Sequence, residues 1–203
     1  MQITSLKQKG KSEEYYVEID GEKHGTLMLE VIVKNHLKVG SELSHDEYLA
    51  IKEQSNQITC FSRALAYISS RLKTEKQMQD YLLQKGYSYN CTQNAIQKLK
   101  NYGYLNDEYY AKLYTETASQ SKGKRYIKQQ LYVKGVNEQI ASNILLDVND
   151  DEACVKVCQK WLKGKVVPLC QKDKEKLYRF LLSRGFEYET IKHAIYSATN
   201  EDV

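Results

Sequence analysis

A chain of 203 residues, 41% of them hydrophobic, can bury a core without help from disulfides or a metal, whether as one domain or two small ones. Its longest apolar runs, such as Leu27-Met28-Leu29 and Ile144-Leu145-Leu146, fall far short of the roughly 20 residues of a membrane span. Met1–Lys7 has neither the basic start nor the apolar stretch of a signal peptide, so a cytoplasmic protein with no membrane partner is expected. Five cysteines (Cys60, Cys91, Cys154, Cys158, Cys170) form an odd set without a CxxC pair, which suits reduced, mostly buried thiols. The net charge of +4 is too small to mark a nucleic-acid binder by itself, but it is unevenly spread. Residues 1–58 carry 7 basic and 10 acidic side chains, 59–150 carry 13 and 8, and 151–203 carry 10 and 8. The positive charge lies in the later segments.

In the first 58 residues, Gln2–Gln8 and Tyr15–Ile19 have strand-compatible runs, and Asp20-Gly21 suits a tight hairpin turn. Glu30–His36 suits either strand or helix and is read as helix. Ser44-His45-Asp46-Glu47 has the spacing of a capping box, which predicts a helix running to about Gln54.

From residue 59 onward, one proline-poor, helix-periodic pattern occurs three times. It is anchored on Lys85-Gly86-Tyr87, Lys134-Gly135-Val136 and Arg184-Gly185-Phe186, whose glycines stand 49 and 50 residues apart. Four positions before each glycine is a leucine (Leu82, Leu131, Leu181), eight before is Met78, Ile127 or Leu177, and ten after is Ile96, Leu145 or Ile195. Each unit therefore has a helix stopped by a left-handed glycine and a following helix that buries an equivalent residue. A further helix precedes each pair, with apolar stripes expected from Phe61, Leu65, Ile68 and Leu72, from Tyr110, Leu113 and Thr117, and from Cys154, Val157, Cys158 and Trp161. Thr74–Gln77 reads as a capping box, Gly103 as a helix stop, and Asn106 or Asp107 as the next cap. The connection Gly164–Gln171 holds the only proline, Pro168. The expected fold is mainly α: three tandem three-helix repeats (59–106, 107–150, 151–203) in an elongated, curved rod, preceded by a β-hairpin-containing unit over 1–58.

These motifs resemble the RecX family of recombination regulators. The resemblance rests on Ala64–Arg71, on Gly103-Tyr104-Leu105-Asn106-Asp107 followed by Tyr110-Ala111, and on Gly123-Lys124-Arg125-Tyr126-Ile127 with Leu131 and Lys134-Gly135-Val136. It covers about residues 60–200. Gln130 departs from a glutamate common in the family, and residues 1–58 match only as a variable extension. The resemblance implies a helical array that lies in the groove of a RecA–DNA filament and disfavours its growth or activity; the chain is expected to be a monomer.

Candidate binding residues are cationic. Lys124, Arg125 and Lys128 follow Lys122 on one helix, Lys156, Lys160 and Lys163 form a second stripe, and Lys172, Lys176 and Arg179 a third; all can meet phosphates or acidic protein. Tyr104 and Tyr109 are candidate surface aromatics among 17 tyrosines. There is no P-loop, GxGxxG, GxSxG or HExxH pattern, and the four histidines are scattered, so no enzyme, cofactor or metal is expected. Asp150-Asp151-Glu152 is read as a helix cap. The competing reading is a non-enzymatic DNA-binding module of helix-turn-helix type.

Overall fold

The computed structural model describes residues 1–165 and 168–199; two residues of the Gly164–Gln171 connection and the last four of the third repeat lie outside them. The first compact unit comprises Met1–Leu72 and Met78–Leu105. It opens with an antiparallel sheet of order β1 (Ile3–Gln8), β2 (Glu14–Ile19), β3 (Glu22–Met28). The expected Asp20-Gly21 turn joins β2 to β3, with both residues at positive φ (+49° and +85°), as a two-residue hairpin of this hand demands. Helix α1 (Leu29–Lys34) occupies the ambiguous segment. Ile3, Val17, Ile19, Leu27 and Val31 fill the space beneath helix α2 (His45–Ser69), whose Tyr48 and Ile51 close the core.

Helix α2 differs from expectation in length. Ser44 and Glu47 form the capping box, but the helix passes Gln54 and runs unbroken to Ser69. Ser55, buried against the sheet, accepts the Met28 amide at 2.9 Å, and the Tyr48 hydroxyl and Lys52 ammonium donate to the His24 carbonyl. The first half of α2 thus serves the β-core and the second half, from Cys60, serves a helical core with α3 (Glu75–Gln84) and α4 (Tyr89–Asn101).

The second unit comprises Lys73–Gln77 and the chain from Asn106. It contains α5 (Asp107–Ala118), α6 (Lys124–Val133), α7 (Glu138–Leu146), α8 (Asp150–Leu162), α9 (Gln171–Ser183) and α10 (Tyr188–Thr199). Two cores fill it, one around Ile127, Leu131, Val136 and Leu145 and the other around Leu177, Leu181, Phe186 and Ile195. All nine apolar residues placed at fixed offsets from the repeat glycines are buried.

The stripes assigned to the first helices of the first two repeats need correction, whereas that of the third, with Cys154 and Cys158 at its centre, packs into the core as expected. Leu72 and Thr117 are exposed, and the buried positions are Cys60 and Ala64, Ala111 and Thr115, and Cys154 and Cys158. Small residues occupy the line where α2 meets α4, α5 meets α7 and α8 meets α10, because close helix approach leaves no room there for Phe61 or Leu65, which flank the seam. Desolvation pushes the Cys60 and Cys154 thiols up to about 12 and Cys158 up to about 11, so they stay protonated and inert. Cys170 is exposed.

Candidate nucleic-acid and filament interface

The second unit is stitched by one kind of joint, made twice. At the start of α3, Thr74 Oγ1 donates to the Lys134 carbonyl (2.6 Å) and the Glu75 amide donates to Asp107 Oδ1 (2.8 Å). At the start of α6, the Gly123 amide donates to the Arg184 carbonyl (3.0 Å) and the Lys124 amide donates to Asp150 Oδ2 (2.9 Å). In both cases a helix start rests on the carbonyl of the basic residue that ends another helix, and borrows a carboxylate from the first turn of a third. Close approach is essential at the second joint, since a Cβ on Gly123 would strike the Gly185 carbonyl and one on Gly185 would strike Tyr126.

Asp150 therefore caps a helix start, as the sequence suggests, but the start of another helix. Asn149 caps its own helix α8 by accepting the Asp151 amide, whereas Asp150 turns away to cap α6. Burial pushes its carboxyl above the usual range, opposed by the bond from the Lys124 amide, and its Oδ1 has no hydrogen-bond partner.

The first basic group divides. Lys122 is half-buried with its Nζ 4.4 Å from the centre of the Tyr126 ring. Arg125 and Lys128 border a groove of about 360 Å³ between α6 and α7, floored by Val136 and Ala141 and edged by Tyr132, which is 74% exposed. Lys128 pairs with Glu138 at 2.9 Å, and that bond holds the Glu138 carboxyl below its ordinary range. Lys124 and Arg125 enter no ion pair among the described residues.

The remaining candidates are exposed. Lys156 pairs with Glu152, Lys176 with Asp173 and Arg179 with Glu175, while Lys160, Lys163 and Lys172 carry no such pair among the described residues. Tyr109 stands at 53% exposure in the second unit; Tyr104, at 55%, belongs to the first and leans on Tyr102. A larger cleft of about 880 Å³ between α5 and α8 is bordered by Glu108, Glu116, Asp147 and Glu152 against Lys112 and Lys156, a balance unsuited to a polyanion.

Sequence reasoning passed over Arg184 and Lys134. Both precede a repeat glycine and were read only as parts of a helix stop, yet Arg184 lies over Phe180 (4.8 Å) and Lys134 over Tyr114 (5.6 Å).

Models of the first, second and third three-helix domains of RecX match residues 60–99, 106–145 and 149–195. The chain belongs to the RecX family. Its α2–α4, α5–α7 and α8–α10 correspond to the three RecX domains in order. The chain is similar to regulatory protein RecX of Clostridium tetani, 32% identical over 95% of this chain and 92% of the relative. It is also similar to that of Caldanaerobacter subterraneus, 31% identical over 96% and 98%. Among solved structures, a regulatory protein RecX superposes with TM-score 0.68 at 22% identity, over 98% of this chain and 99% of that one. RecX from Lactobacillus salivarius gives 0.64 at 26% identity, over 72% and 98%. Among the described residues, no helix is long and apolar enough to cross a membrane.

Proposed function

We propose that this RecX-family chain acts in the cytoplasm as a monomer, binding the filament that a RecA-type recombinase forms on DNA and lowering its ATPase and strand-exchange activity. The observation that carries this reading is the occurrence of all three RecX domains, in order, across residues 60–195. Helical repeats in tandem are suited to a polymeric, repeating partner. Lys124 and Arg125, which enter no ion pair among the described residues, and the exposed Tyr132 provide charge and contact area for it. The role is played by binding alone, with no cofactor and no covalent chemistry. Residues 1–58 form an extension and 59–106, 107–150 and 151–203 the three repeats.

The test is to titrate the chain into a preformed recombinase filament on single-stranded DNA while following ATPase rate and light scattering. A dose-dependent fall in both is expected. Unchanged signals at stoichiometric protein, together with salt-sensitive binding to naked DNA, would overturn the regulator in favour of a simple DNA-binding module.

A further inference from the structure

Two basic residues of the second unit, Lys122 and Arg184, meet at one joint. Lys122 sits over the ring of Tyr126, and Arg184 gives its carbonyl to the Gly123 amide beside Lys122. Gly185, next to Arg184, rests directly on the Tyr126 backbone. The roots of both side chains are therefore fixed by a rigid joint.

Neither cation enters an ion pair among the described residues, in contrast to Lys128, Lys156, Lys176 and Arg179. Burial and the neighbouring Arg184 charge together hold the Lys122 ammonium below the ordinary lysine range, with no carboxylate acting to restore it. Aromatic rings, Tyr126 under Lys122 and Phe180 under Arg184, hold the two heads in place of counter-ions. Like charges gathered without an anion are relieved when an anion arrives.

We propose that Lys122 and Arg184 form a binding site for a backbone phosphate of nucleic acid at the joint between α6 and α9. A phosphodiester offers two non-bridging oxygens, one for the guanidinium fork and one for the ammonium. Tyr126, half-buried beside them, gives the adjoining sugar or base a flat surface. Lys124 and Arg125, without ion pairs among the described residues, follow at once along α6, so a polyanion meets further cations where a single carboxylate would not. The assignment rests on the reading that the chain works on a DNA-bound partner, but its test contains no recombinase.

The chain with both Lys122→Ala and Arg184→Ala is compared with the unaltered chain for binding a fluorescein-labelled single-stranded oligonucleotide of about 20 nucleotides, long enough for one binding site. Anisotropy is read over a series of salt concentrations, and circular dichroism confirms that the helices persist. The expected result is binding weakened about tenfold, with the slope of log K against log salt reduced by about 0.7 for one lost phosphate. Arg184→Lys should recover part of the loss. Unaltered affinity and slope in the folded double variant, or no DNA binding by the unaltered chain, would overturn the site while leaving filament inhibition to be judged by its own assay. Displacement of the oligonucleotide by inorganic phosphate at matched ionic strength would overturn it in favour of a free-phosphate site. Loss of polyglutamate binding with DNA binding intact would overturn it in favour of an acidic protein.

Discussion

Asp150 is a carboxylate kept where water is scarce because a helix start needs it. The Lys124 amide and the α6 dipole favour its charge, yet desolvation wins and the carboxyl sits above its ordinary value of 3.8. Between that value and the raised one, the folded chain binds more protons at this group than the unfolded chain. Its contribution to stability is therefore fully present below the window and is lost as pH rises through it. The Asp150→Asn variant keeps an oxygen for the Lys124 amide and removes the titration. Relative to the unaltered chain, its urea midpoint should rise from pH 3 to pH 7, and midpoints that stay parallel across this range would refute the account. Comparing the two proteins cancels the opposite trend of Glu47, Glu138 and Asp173, whose carboxyls are held below their usual range.

At the scale of elements, the joint is what turns three-helix patterns into a stacked unit. Gly86 and Gly185 have nearly the same backbone angle, φ +87° and +85°, but nothing lies within 4 Å of a Cβ on Gly86 whereas one on Gly185 meets Tyr126. Gly86→Ala should cost only the left-handed backbone penalty, about 1–2 kcal/mol. Gly185→Ala should cost that and about 1–3 kcal/mol more for overpacking. Urea unfolding that returned equal losses would refute the close contact at the joint. The stripe ending at each of these glycines was legible because Leu82, Leu131 and Leu181 recur at one offset and lie in helices with a single buried face. The first-helix register of the first two repeats was not, since large apolar residues dominate the pattern while the seam is made of Cys60, Ala64, Ala111 and Thr115; in the third, Cys154 and Cys158 carried the seam visibly. The end of α2 was misjudged because no residue between Gln54 and Ser69 stops a helix, and one helix could serve two cores. The joint itself uses backbone carbonyls, which leave almost no trace in sequence, and so Arg184 was passed over as a mere helix stop.

For the molecule as a whole, charge and partner are linked through distribution more than total. The acidic excess of residues 1–58 offsets the basic excess of the repeats, so the modest +4 conceals segments suited to a polyanionic filament. Sequence could show that imbalance, but not that Lys128 is engaged by Glu138 while Lys124 and Arg125 enter no such pair among the described residues. Replacing Lys124, Arg125 and Lys128 together by glutamate inverts the charge along one helix and leaves Ile127 and Leu131, the buried face of α6, in place. The folded variant should need at least about tenfold more protein to slow the recombinase ATPase, because each lost phosphate contact forfeits counter-ion release. The gap should narrow as salt is raised, since screening weakens attraction in the unaltered chain and repulsion in the variant alike. A dose response that coincides with that of the unaltered chain at every salt concentration would remove this face of α6 from the interface and move the contact to the stripes on α8 and α9. A large gap that does not change with salt would mean that the substitutions break shape or hydrogen bonding at a protein contact, because screened charge cannot produce it.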